Sequence, residues 1–138
     1  MFSSGGYRVV FEDFSNRHFI KDFEKKYKGS WLITRKALVS QLRNVDMLVN
    51  SGRTNPPIHM TDNRQEWILK HEFSLAGLRE SPKSSGRRII AYVNEEEKIV
   101  RVLLAYHKDH LGKGAGETNE WERIIKAEYK DLLHNFNF

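Results

Sequence analysis

Two apolar runs separated by one polar turn dominate the second half of the chain. Residues 87–93 (RRIIAYV) and 98–106 (KIVRVLLAY) are rich in Ile, Val, Leu and Tyr, which fit a pleated surface, and Asn94, Glu95, Glu96 and Glu97 form a solvated loop between them. Neither run alternates cleanly, so both are expected to be central strands covered on at least part of each face. In an antiparallel pair joined by a short loop, the start of one strand lies beside the end of the next. Arg87 and Arg88 are therefore expected to meet His107, Lys108, Asp109 and His110 at one end, as a patch able to hold a phosphate.

The remaining pattern supplies the elements around this hairpin. Residues 7–11 (YRVVF) read as a short strand. Phe14, Phe19, Ile20, Phe23 and Tyr27 recur at helical spacing and predict a helix over 16–27, capped by Ser15 or Asn16 and ended by Lys28-Gly29-Ser30. A second helix, starting near Trp31, carries Leu32, Leu38, Leu42, Val45 and Leu48 and stops at Asn50-Ser51-Gly52. Residues 53–65 hold Pro56-Pro57 and read as a loop with a short extended piece at 58–60. Residues 67–75 (WILKHEFSL) predict a strand, 77–86 a turn-rich connection, 112–116 a flexible spacer and 120–133 a helix packed through Trp121, Ile125, Tyr129 and Leu133.

The order is β, α, α, β, β, β, α. It predicts an α+β fold: an N-terminal strand, a two-helix hairpin, an antiparallel sheet of three to four strands and a C-terminal helix. The helix pair is expected over one face of the sheet, leaving the other open for a ligand. At 138 residues the chain reads as a single domain, with a core over 7–111 followed by the spacer and terminal helix of 112–138.

Composition narrows the chemistry. With 30% charged and 39% hydrophobic residues, no apolar run approaching the roughly 18 residues of a membrane span, and no signal-peptide pattern, the chain reads as soluble and cytoplasmic, without a membrane partner. The absence of cysteine excludes disulfides and thiolate chemistry and removes the commonest zinc sites. The net charge of +5 and pI near 9.5 favour a polyanionic partner. The charge is uneven: residues 16–50 hold eight Lys or Arg against three acids, whereas 114–138 hold three against five. The terminal helix is thus a poor nucleic-acid surface, while Arg17, Lys21, Lys25, Lys26 and Lys28 offer RNA an electrostatic hold.

The opening strand with FIKDFEKKYK, and the segment SSGRRIIAYVNEEEKIVRVLLAYHK, resemble the RelE/ParE superfamily of toxins from type II toxin-antitoxin systems. The resemblance is one of pattern and covers residues 7 to about 110. In that family the strand after a Ser/Gly turn commonly begins with Tyr-Arg; here Arg87 stands at the aromatic position and Arg88 matches the arginine. The chain is also longer than a usual member, in the 53–65 loop and the 112–138 tail. The resemblance implies a metal-independent endoribonuclease, an mRNA interferase that needs no cofactor, cuts mRNA on the ribosome and is neutralised by a cognate antitoxin protein.

Such cleavage uses the substrate's own 2′-hydroxyl as nucleophile. The site must help deprotonate it, stabilise the extra negative charge of a phosphorane and protonate the leaving 5′-oxygen. Histidine suits the proton transfers, and Arg or Lys the charge. The expected catalytic set is Arg88, His107, Lys108, His110 and Lys70, with Arg87, His71, Glu72 and Tyr106 in substrate binding and Glu72 an alternative base. Lys70 and His71 point to opposite faces by the strand's two-residue period, so only one serves a given site, and Lys70 is preferred. Each residue has a plainer reading: Arg88 as a charge pairing Glu72 or Glu80, and the histidines as polar caps. A metal between His107 and His110 is not expected, because Asp109 is the one carboxylate close by. Two rivals remain: a ParE-like toxin that poisons DNA gyrase, and a relative that binds nucleic acid without cutting it.

Overall fold

The computed structural model describes residues 6–111 and 116–137, the side chains of His18, Phe19, Asp22 and His110 excepted. The expected 112–116 spacer falls outside these residues apart from Gly116. The strands are β1 (Arg8–Phe11), β2 (His59–Met60), β3 (Glu66–Phe73), β4 (Arg87–Asn94) and β5 (Ile99–His107). The helices are α1 (Asp13–Ser15), α2 (Lys21–Lys26), α3 (Lys28–Leu42), α4 (Val45–Asn50), α5 (Pro82–Ser85) and α6 (Glu117–Glu128). A π turn at Asn16–Ile20 joins α1 to α2, and a 3₁₀ turn at Lys108–His110 follows β5. No described helix is long and apolar enough to cross a membrane.

The sheet has five strands in the order β1-β5-β4-β3-β2. Strands β2 to β5 pair antiparallel, but β1 runs parallel to β5, Arg8 opposite Ile99 and Phe11 opposite Val102. The sheet is thus mixed and one or more strands wider than the three to four antiparallel strands expected. The helical excursion α1–α4 carries the chain from β1 at one edge of the sheet to β2 at the other, which runs opposite to β1; three antiparallel pairings then bring β5 back beside β1 in the same direction. The extended piece expected at 58–60 becomes β2, an edge strand two residues long.

The helix pair breaks one residue earlier than glycine would suggest. Tyr27 (φ −129°, ψ 50°) separates α2 from α3, and Gly29 lies inside α3. A second break at Asn44 (φ −119°, ψ 42°) divides what reads as one helix into α3 and α4. Together these helices bury Phe23, Trp31, Leu38, Leu42 and Val45 against Leu69, Phe73, Ile89, Ala91, Val93 and Val102 on one face of the sheet.

The other face is not open. Trp121 and Ile125 of α6, with Leu133 and Phe136 beyond it, pack on Ile68, Ile90, Tyr92, Leu104 and Tyr106. This corrects the expectation of an uncovered ligand face, and the correction was physically required. Ile90, Leu103 and Leu104 are each 0% exposed, and that much apolar side chain is stable only under a second layer. The β4–β5 register skips Leu103, whose carbonyl accepts the Tyr129 hydroxyl at 2.8 Å. That irregularity lets consecutive leucines both join the α6-side core.

Candidate functional site

The end of the sheet is built by a short, heavily capped connection. Ser81 and Ser84 form a reciprocal capping box at the start of α5, and the helix ends at Gly86 in the left-handed region (φ 75°). The Ser85 hydroxyl donates to the Phe73 carbonyl (2.6 Å) and accepts the Arg87 N–H (3.0 Å), fixing where β4 begins. The Gly86 carbonyl accepts the Lys108 N–H at 2.7 Å. A β-carbon on Gly86 would lie 2.9 Å from His107 Nε2 and 3.2 Å from Lys108 Cγ, so glycine serves both the backbone conformation and the close approach of the two strand ends.

The pairing expected from the hairpin is present: Arg87 stands opposite His107, and Arg88 opposite Tyr106. Strand alternation then divides the residues between faces. Arg88 lies across from Glu72 on one side and Tyr106 on the other, so one residue from each of β3, β4 and β5 forms a row on the α6 face. Glu117, the first residue of α6, completes it. Arg88 Nε is 3.1 Å from Glu117 Oε2 and Nη2 is 3.6 Å from Glu72 Oε2, while Nη1 donates to the Gly86 carbonyl at 3.2 Å. The Tyr106 hydroxyl donates to the same Glu117 oxygen at 2.6 Å. Burial, reinforced by that carboxylate, holds the Tyr106 phenol far above its ordinary range, so it is a permanent donor. Lys70, two residues before Glu72, shares this face and is half-buried.

His107 follows Tyr106 on the strand and so projects to the opposite face, at the same end of the sheet. Its Nδ1 accepts the Asp109 N–H at 3.1 Å and lies 3.5 Å from Asp109 Oδ2. Lys108 is exposed just past the strand. The backbone of His110 closes the 3₁₀ turn, and its side chain lies outside the described residues.

Two residues expected in substrate binding stand apart. Arg87 turns into the helix-side core, where it is 7% exposed; Nη1 donates to Glu80 at 2.6 Å and Nη2 to the Tyr27 hydroxyl at 3.2 Å. His71 is 5% exposed beneath the helices, with Nδ1 2.8 Å from Thr54 Oγ1 and Nε2 3.0 Å from Gln41 Oε1. Burial pushes its pKa down to about 4, against a weaker upward pull from Glu72.

A pH dependence follows for His71. It is neutral in the fold and gains its proton more readily when unfolded, so stability rises with pH between about 4 and the ordinary histidine value near 6.5. Acidification through that window should remove on the order of 3 kcal/mol. His71→Asn should lose correspondingly less, because the carboxylates that also titrate there are common to both proteins. Urea midpoints of parent and variant at several pH values measure the difference; parallel curves would contradict the assignment.

Glu117 is the member of this site that the sequence did not single out. It lies 29 positions beyond Arg88, ahead of the helix expected over 120–133, in an acidic stretch that reads as a poor nucleic-acid surface. The available signal was indirect: a central strand with apolar residues on both faces requires a covering element, and only the terminal helix remained.

Compared with known protein families, curated proteins and solved structures, the chain matches none.

Proposed function

We propose that the chain is a RelE-like toxin of a type II toxin-antitoxin system, a metal-independent endoribonuclease acting on mRNA, with the ribosome as its setting and a cognate antitoxin as its inhibitor. The observation that carries this reading is the register of β4 on β5, which gathers Arg88, Tyr106, His107 and Lys108 at one end of the sheet beside Glu72. In this reading Arg88 stabilises the phosphorane, Glu72 takes the 2′-hydroxyl proton, Lys108 holds a neighbouring phosphate, and Lys70, on the same face as Arg88 and Glu72, protonates the leaving oxygen. His107 and His110 are auxiliary residues at the same end of the sheet. The net charge of +5 draws the substrate in, and the basic α2–α3 surface lined by Lys21, Lys25, Lys28 and Arg35 extends the contact.

A second reading, binding without cleavage, is favoured by one specific feature: Arg88 lies between two carboxylates and so presents no net positive charge of its own. Inducing the protein and mapping cellular mRNA 5′ ends separates the two. Codon-phased new ends that disappear in Arg88→Ala are expected for the nuclease. Their absence, with RNA still bound, selects the binder, and their absence with gyrase inhibited selects the ParE-like alternative.

A further inference from the structure

Arg88 Nε and the Tyr106 hydroxyl converge on one atom, Glu117 Oε2, at 3.1 and 2.6 Å. The Tyr106 hydroxyl donates to that oxygen, whereas the buried Arg88 Nε–H only ion-pairs with it and has no hydrogen-bond partner among the described residues. Together they make an anion seat whose occupant is the chain's own carboxylate. We propose that this is a phosphodiester seat, filled by Glu117 in the unliganded protein, so that the first turn of α6 competes with RNA for Arg88. The proposal rests on the reading that this end of the sheet meets RNA.

Charge and anchoring support the exchange. Arg88 needs one carboxylate for neutrality and Glu72 already supplies it, so Glu117 adds a second negative charge to a half-enclosed site. A phosphodiester also carries one negative charge, and its non-bridging oxygens can accept both the Tyr106 hydroxyl and the Arg88 Nε–H that Glu117 leaves without a hydrogen bond. Replacing Glu117 by phosphate therefore conserves the charge and the Tyr106 hydrogen bond of the seat and gives the Arg88 Nε–H an acceptor. The side chains of Arg88, Glu72 and Glu117 are 13%, 18% and 22% exposed, so the cluster meets solvent on one side. Glu117 is also the first residue of its helix, following Gly116 at φ 101°, and the buried anchors Trp121 and Ile125 lie one and two turns further on. Withdrawal of Glu117 leaves those anchors in place.

The test is calorimetric titration of inorganic phosphate, and separately of a short single-stranded RNA, into parent, Glu117→Gln and Arg88→Ala/Glu117→Gln proteins. Glu117→Gln is expected to bind both ligands at least about tenfold more tightly than the parent, and the double variant to lose that gain. Near-UV circular dichroism unchanged from the parent's verifies that the packing around the three buried tryptophans, Trp121 of α6 among them, is kept. Should Glu117→Gln fail that control, Glu117→Asp, which retracts the carboxylate by one methylene, is expected to show a smaller gain with the same dependence on Arg88. Unchanged affinities in a folded variant, a gain that survives loss of Arg88, or a gain for phosphate without one for RNA would overturn the proposal. None of these readouts depends on cleavage, so a protein that cuts no mRNA leaves the seat testable, and a failed seat leaves the nuclease testable.

Discussion

Trp121→Ala is expected to destabilise the protein by about 3–5 kcal/mol, the range for removing a fully buried large aromatic side chain. Trp121 is 0% exposed and lies in the core formed by α6 and the second face of the sheet. Its indole N–H has no partner among the described residues, so its contribution is packing. The truncation forfeits the transfer energy of the ring and leaves a cavity between α6 and strands too regular to collapse into it. Equilibrium urea denaturation measures the effect. A loss below about 1 kcal/mol, the level of an exposed site, would mean that α6 does not close this face. Because Glu117 enters Arg88's cluster from the same helix, that result would also remove the setting of the site.

The second large effect is expected at Arg87. Its side chain is 8% exposed and that of Glu80 17%, with Nη1 2.6 Å from the carboxylate and the guanidinium carbon 5.2 Å from the centre of the Tyr27 ring. Removing one partner of such a pair strands the other charge in a poor solvent, at a cost of about 3–5 kcal/mol. Arg87→Ala and Glu80→Ala should each lose stability on that scale. The double variant should lose clearly less than the sum, because no uncompensated ion remains. Additive losses would show that the two side chains act independently, and Arg87 would then be free for other work.

Much of the architecture was legible because hydrophobic period and turn chemistry agree. The β4–β5 hairpin, the helical pair, the strand containing Lys70 and His71 and the terminal helix all follow from spacing. The break between the two helices was legible to within a residue, at Tyr27 rather than at Lys28-Gly29-Ser30, whereas the break at Asn44 was not, since Asn44 is no strong helix breaker. The parallel direction of β1 depends on its pairing with β5, the last strand of the meander, a choice of partner that local pattern does not encode. At the site, pairing across the hairpin was readable and the division between faces only partly so. Arg87 and Arg88 are adjacent and chemically identical, yet one clamps Glu80 in the core and the other meets Glu72 and Glu117 on the far face. His71 is likewise a buried, neutral bridge between Thr54 and Gln41, its surroundings supplied by α3 and a loop distant in sequence.

The claim on which the functional account turns is that RNA meets the shared end of β4 and β5. Backbone amide shifts during titration of a short single-stranded RNA into the isotope-labelled protein read this residue by residue. The account predicts that Glu72, Arg88, Tyr106, His107, Lys108 and Glu117 move first, with Lys21, Lys25 and Lys28 following at higher concentration. Shifts confined to the α2–α3 surface, with the Arg88 row unmoved at saturation, would contradict it.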